Sequence, residues 1–89
     1  MKIKISKFGK LLISRPAGRE AFLAACAYTF NNNDTEFVLD FSDVDVLSPS
    51  WADEFIGGIK NKFKNIVLKY ENTTNKSVEE TLKFINPKE

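Results

Sequence analysis

Residues 40–54 hold most of the side chains in this sequence that could do chemistry. Asp40, Asp43 and Asp45 lie within one short segment, Ser48 and Ser50 flank Pro49, and Trp51, Asp53 and Glu54 follow. Three close carboxylates offer the oxygen ligands that a hard cation such as magnesium takes. With a metal, Asp40, Asp43 and Asp45 could support phosphoryl chemistry. Asp40 falls at the end of an expected strand, where α/β sites gather. The calcium-loop pattern fails, because its glycine and terminal glutamate are absent. Solvated loop acids are the simpler reading of all three.

Residue counting excludes several other chemistries. The chain has one cysteine, Cys26, and no histidine. An intrachain disulfide, a four-ligand thiolate zinc site, and Ser-His-Asp or Cys-His nucleophile systems are therefore ruled out within one chain. Cys26 reads as a small core residue. A net charge of +1 gives no field that would draw nucleic acid or a membrane surface. Lys60, Lys62 and Lys64 could meet phosphate, but they also suit the solvated end of a helix. No glycine-rich phosphate loop supports nucleotide binding, and no cofactor is implied.

The start "MKIKISKFGK" alternates charged and apolar residues and lacks the features of a signal peptide. No apolar run approaches the ~20 residues of a membrane span. The expectation is one soluble, cytoplasmic domain over residues 1–89, a monomer or weak dimer.

The elements that must position the acidic and serine-rich segment follow from periodicity. "MKIKIS" has the alternation of a half-buried strand, and "KLLIS" reads as a second strand joined to it by "KFGK" in a hairpin. Ser14 caps a helix with Pro16 in its first turn. Phe22, Cys26 and Phe30, with Leu23 and Ala27, form that helix's apolar stripe, and "NNND" ends it. "TEFVLDF" reads as a central strand covered on both faces, and "NIVLKY" as another apolar strand. "SDVDVLSPS" reads as a loop. Trp51, Phe55, Ile59 and Phe63 then recur at helical spacing. Gly57 and Gly58 interrupt this helix, either for close packing on the sheet or as a flat face for a partner. Ser77 and Glu80 make a capping box for a last helix that Pro87 terminates. The order predicts an α/β fold: a small mixed sheet of about four strands with three helices packed on it.

The two serines have a structural explanation in either of two registers. Ser48 as N-cap puts Pro49 at N1, a favoured place for proline, and Ser50 at N2. Alternatively Ser50 is the cap and Asp53 stands at N3 like a capping box.

The segment from Glu36 to Ile85 resembles STAS domains, the family that includes bacterial anti-sigma-factor antagonists. The resemblance rests on "FVLDFSDVDVLSPSWADEFIGGI" and on "NIVLKYENTTNKSVEETLKFI" after it. The nearest likeness is to a STAS-like subgroup of unassigned function, through "LDFSDVDVLSPSWADEF" and the helix opening Gly18-Arg19. That subgroup usually has phenylalanine where this chain has Trp51. The resemblance implies a regulatory signalling module without catalytic activity. It implies that Ser50 matches the serine that a kinase of the histidine-kinase-like ATPase fold phosphorylates in the antagonists. Ser48 falls where those proteins usually have aspartate. They follow the serine with Gly-Leu-Gly, whereas this chain has Trp51-Ala52-Asp53. The docking surface therefore transfers more readily than the phosphorylation. It comprises Asp43, Asp45, Ser48, Ser50, Trp51, Asp53 and Glu54, and the partner is such an ATPase or another signalling protein. The alternatives are a small metal-dependent phosphoryl-transfer enzyme using Asp40, Asp43 and Asp45, or a nucleotide- or small-ligand-binding accessory domain.

Overall fold

The computed structural model describes residues 1–31 and 33–85. Three strands, β1 (Lys2–Lys4), β3 (Glu36–Asp40) and β5 (Val67–Glu71), form a parallel sheet in the order β1-β3-β5. Two short strands, β2 (Leu11–Leu12) and β4 (Val46–Leu47), pair in parallel beside it. The helices are α1 (Arg15–Tyr28), α2 (Pro49–Lys62) and α3 (Lys76–Ile85). Each step between neighbours in the larger sheet carries a helical crossover, as parallel pairing requires.

The expected hairpin does not form. Ile5–Phe8 make a 3-10 turn, and β1 gives its pairing edge to β3, with Ile3 opposite Leu39. The second strand of the supposed hairpin pairs with β4, which lies inside the segment that reads as a loop. Five strands in two small sheets thus replace about four in one, and every pairing among the described residues is parallel. The α/β architecture of sheet and packed helices stands.

The core lies on one face of the larger sheet. Ile3, Phe37 and Leu39 point inward and are buried. Phe37 meets Phe30 at 5.2 Å and Phe63 at 5.0 Å between ring centroids, which ties the sheet to the ends of α1 and α2. The other face is open, against the expectation of cover on both sides. It carries Lys2, Val38 and Lys69 in one row and Lys4, Asp40 and Glu71 in the next. Ion pairs of Lys2 with Glu71 (2.8 Å) and Lys69 with Glu36 (3.0 Å) lace this face. Phe37 and Leu39 on the central strand β3 and Ile3 on β1 are the fully buried inward residues. The edge strand β5 alternates exposed and half-buried residues despite its apolar run.

In α1 the buried line is Gly18, Ala21 and Ala25, not the larger residues. Phe22 and Cys26 stand beside it half-buried, while Leu23 and Ala27 are exposed. Close approach to α2 selects the smallest side chains for the line of contact. In α2 the expected stripe holds: Trp51, Ala52, Phe55, Ile56 and Ile59 are buried. Ser14 caps α1 as expected, accepting from the Ala17 N–H at 3.2 Å.

Asn75, not Ser77, caps α3. Its side-chain oxygen accepts from the Val78 N–H at 3.2 Å. Ser77 and Thr81 instead turn to β4. The Ser77 hydroxyl accepts from the Leu47 N–H (3.0 Å), and Thr81 donates to the Leu47 carbonyl (2.6 Å). These bonds satisfy the outer edge of β4 as another strand would. Pro87, the expected terminator, lies outside the described residues.

Candidate functional site

The first of the two capping registers is the one that forms. Ser48 adopts extended backbone as N-cap, and its hydroxyl oxygen accepts from the Trp51 N–H at 3.2 Å. The same hydroxyl donates to the Ile13 carbonyl, so it also joins the start of α2 to the end of β2. Pro49 takes N1 and is exposed. Ser50 at N2 is half-buried, and its hydroxyl makes no hydrogen bond among the described residues.

Replacing Ser48 with alanine is expected to destabilise the fold by about 1–2 kcal/mol, because the cap and the Ile13 bond go together. Ser50→Ala should stay within about 0.5 kcal/mol of the parent. Urea denaturation of both variants checks this. Equal losses would mean that both serines serve the cap.

Trp51 does not belong to an accessible surface. It is 1% exposed, and its ring stacks on Phe55 at 5.0 Å with an interplanar angle of 18°. A partner cannot reach it without opening the core. The reason is the turn between Ser48 and α2, which aims N3 inward as it leaves N2 near solvent.

Asp53 and Glu54 are occupied by a residue that sequence reasoning missed. Arg15, at the start of α1, reaches Asp53 at 2.8 Å and Glu54 at 2.6 Å. Its position 38 residues from Asp53 leaves no trace in local pattern. The pairing removes much of the repulsion that two free carboxylates would exert on a phosphate at Ser50. Beyond the ion pair, Arg19, Phe22, Gly57, Gly58 and Asn61 line a shallow groove of about 340 Å³ between α1 and α2. Gly58 lies beneath the Phe22 ring, so the close packing there is helix on helix and not helix on sheet. Gly57 is open to the groove.

The acidic cluster is dispersed by the fold. Asp40 is 9% exposed and accepts at one carboxylate oxygen from Asn72 (2.7 Å) and from the Ser42 N–H (2.9 Å). The Asn72 bond, then the Ser42 bond, hold its pKa below the usual carboxylate value. Asp43 has left-handed backbone (φ 65°) and pairs with Lys4 at 3.1 Å. The Asp45 side chain is exposed, and its carbonyl accepts from Asn75 at 3.0 Å. No three acidic, histidine or cysteine side chains among the described residues converge as a metal would need. Asp40, Asp43 and Asp45 thus take separate partners and do not gather into one site. Of the other expected contact residues, Asp43 and Asp45 are exposed, Ser48 is half-buried, and Asp53 and Glu54 lie about one turn along α2 from Ser50, paired with Arg15.

No helix among the described residues is long and apolar enough to cross a membrane. Comparison with curated proteins finds no match, and comparison with solved structures finds none. A family model described as a STAS-like domain of unknown function (DUF4325) matches residues 20–78. That match runs from α1 through β3, the serine segment and α2 into α3. The chain belongs to this family of STAS-like domains of unknown function.

Proposed function

We propose that this STAS-like domain is a regulatory protein-binding module without catalytic activity of its own. Its docking surface is the loop from Asp43 to Ser50 with the exposed side of the first turns of α2. The observation that supports this reading most is the division of labour between the serines. Ser48 is fully used by the cap, while Ser50 presents an uncommitted hydroxyl at the mouth of a 14-residue helix. The partner class implied by the STAS resemblance is a kinase of the histidine-kinase-like ATPase fold or another signalling protein. Ser50 is then the contact residue and the candidate phosphate acceptor.

A phosphate on Ser50 would gain from the dipole of α2, although Pro49 has no N–H and those of Trp51 and Ala52 already bond to Ser48. Arg15 draws Asp53 and Glu54 toward α1, so repulsion from them is reduced. The fold should therefore tolerate the charge. A docked partner would instead meet a new charge of about −1.5 to −2 at the centre of its contact.

The test is affinity capture with mass spectrometry, using the wild-type chain and Ser50→Asp. The expected result is a partner whose binding weakens at least about tenfold in Ser50→Asp, a change of ~1.4 kcal/mol. Absence of any partner, or equal capture by both proteins, would overturn the reading.

A further inference from the structure

We infer that Arg15 is the receiver of the charge at Ser50: one nitrogen of its guanidinium stays on Asp53 and Glu54, while the others take a phosphate carried by Ser50. The inference rests on the reading of Ser50 as a phosphate acceptor, and it names the residue through which that modification acts on the chain. Both ion pairs of Arg15 use the same atom. Its Nη1 lies 2.8 Å from Asp53 Oδ2 and 2.6 Å from Glu54 Oε2. Nη2 and Nε make no hydrogen bond among the described residues. A guanidinium spreads its N–H donors over a planar fork, and most of them are on those two nitrogens. The side chain is 51% exposed, so a phosphate can approach it.

Ser50 lies on the strip of α2 that Arg15 already touches. Asp53 and Glu54 follow it at i+3 and i+4. Those spacings set side chains on one helix face, with Cβ atoms ~5–6 Å apart. Helical side chains also lean toward the N-terminus, over the preceding turn. The two carboxylates therefore bring Arg15 toward the turn that holds Ser50. The helices themselves start side by side. The Ile13 carbonyl, two residues before Arg15, accepts from the Ser48 hydroxyl, two residues before Ser50. Gly18 then approaches the Trp51 backbone and the Glu54 Cβ. Arg15 thus stands level with the first turn of α2, and rotation of its side chain alone can bring the fork to Ser50. The start of α2 supplies few donors of its own, since Pro49 has no N–H and those of Trp51 and Ala52 bond to Ser48.

The modification breaks the Ser50 O–H bond and forms an O–P bond to the terminal phosphoryl group of a nucleoside triphosphate held by the partner kinase. Nucleoside diphosphate leaves, and the hydroxyl proton passes to water. Three anionic groups then share one face of α2. An exposed ion pair contributes little to the unmodified fold. Once Ser50 carries phosphate, the fork can hold it through two N–H bonds, the usual arginine–phosphate geometry. The carboxylates need not be released, and the repulsion among the three groups is offset by the cation between them.

The test uses the full chain with phosphoserine installed at Ser50 during translation, titrated by phosphorus NMR. A phosphoserine loses its second proton near pH ~6. With Arg15 in place the midpoint should lie at least about 0.5 pH unit below that of Arg15→Gln, because a held cation favours the dianion. Arg15 is exposed, so the variant should still fold. Lys64→Gln removes the same charge beyond the far end of α2, roughly 20 Å from Ser50. At physiological salt it should move the midpoint by under about 0.2 pH unit. Thermal unfolding gives a second readout: phosphorylation should lower Tm more in Arg15→Gln than in the parent, and the difference measures the coupling. Equal midpoints for parent and Arg15→Gln overturn the inference. So does a Lys64→Gln shift as large as that of Arg15→Gln, or a Tm change that ignores Arg15. The two readings fail separately. A low midpoint that depends on Arg15 supports this inference even if no partner is captured, whereas equal midpoints sink it even if Ser50→Asp abolishes capture.

Discussion

Truncating Trp51 to alanine is expected to destabilise the fold by about 3–5 kcal/mol, the range for removing a large buried aromatic side chain. The indole is 1% exposed and stacks on Phe55, and Phe8 stands 6.2 Å away. No neighbour can collapse into the space without disturbing that aromatic group. A small domain has roughly 5–15 kcal/mol in total. The variant should therefore be marginal at 25 °C. With a urea slope of about 1 kcal/mol/M, its midpoint should fall by roughly 3 M or more. The measurement also separates two roles for Trp51. A contact residue on the surface would cost under about 1 kcal/mol in folding and a great deal in binding. A loss that small would contradict the buried placement and return Trp51 to the docking surface.

The second large effect is expected at Gly18, where two opposing terms can be weighed. Alanine is better than glycine inside a helix by about 1 kcal/mol. At Gly18, however, a Cβ would lie 2.6 Å from the Trp51 carbonyl oxygen and 3.0 Å from its Cα. Those are backbone atoms of α2, and they cannot swing aside as a flexible side chain would. The helices must separate, at an overpacking cost of about 1–3 kcal/mol before further losses in the core. The clash should win, so Gly18→Ala is expected to lower Tm by roughly 5 °C or more. Gly57→Ala is the matched comparison. Its Cβ would meet only an Asp53 carboxylate oxygen at 3.7 Å, an ordinary contact. It should raise Tm by a few degrees, through helix propensity and a less flexible unfolded chain. If the two substitutions behaved alike, the close approach of α1 to α2 at Trp51 would be refuted.

These two residues bear on function through the same geometry. Gly18 lets the α1 backbone sit against the first turn of α2. That contact brings Arg15 within reach of Asp53 and Glu54 and buries Trp51. Ser50, one position earlier, is half-buried at N2 of α2. The docking reading thus needs both residues to be intact without either touching a partner.

Much of this arrangement was legible in local sequence. The α2 stripe of Trp51, Phe55 and Ile59 follows from spacing, since a helix repeats every 3.6 residues. The start of α1 was readable from Ser14 and Pro16, and that of α2 to within the two registers of Ser48 and Ser50, because a cap depends only on residues within one turn. The family likeness was carried by the contiguous run "LDFSDVDVLSPSWADEF". In α1, by contrast, hydrophobicity pointed to Phe22 and Leu23. The contact line belongs to Gly18 and Ala21, because packing distance and not apolar area chose the face.

What the sequence determined by itself was therefore the alternation of the longer strands with three helices, the Ser14 cap and the absence of histidine and disulfide chemistry. These rest on local spacing and on counts. Only the tertiary structure decided which edges pair, and so replaced a hairpin with two parallel sheets. It alone dispersed Asp40, Asp43 and Asp45 to Asn72, Lys4 and solvent, brought Arg15 to Asp53 and Glu54, and set Ser77 and Thr81 on Leu47. Each of these contacts joins residues roughly 30 or more positions apart. Such partners are selected by the energy of the assembled fold, which no local window of sequence contains.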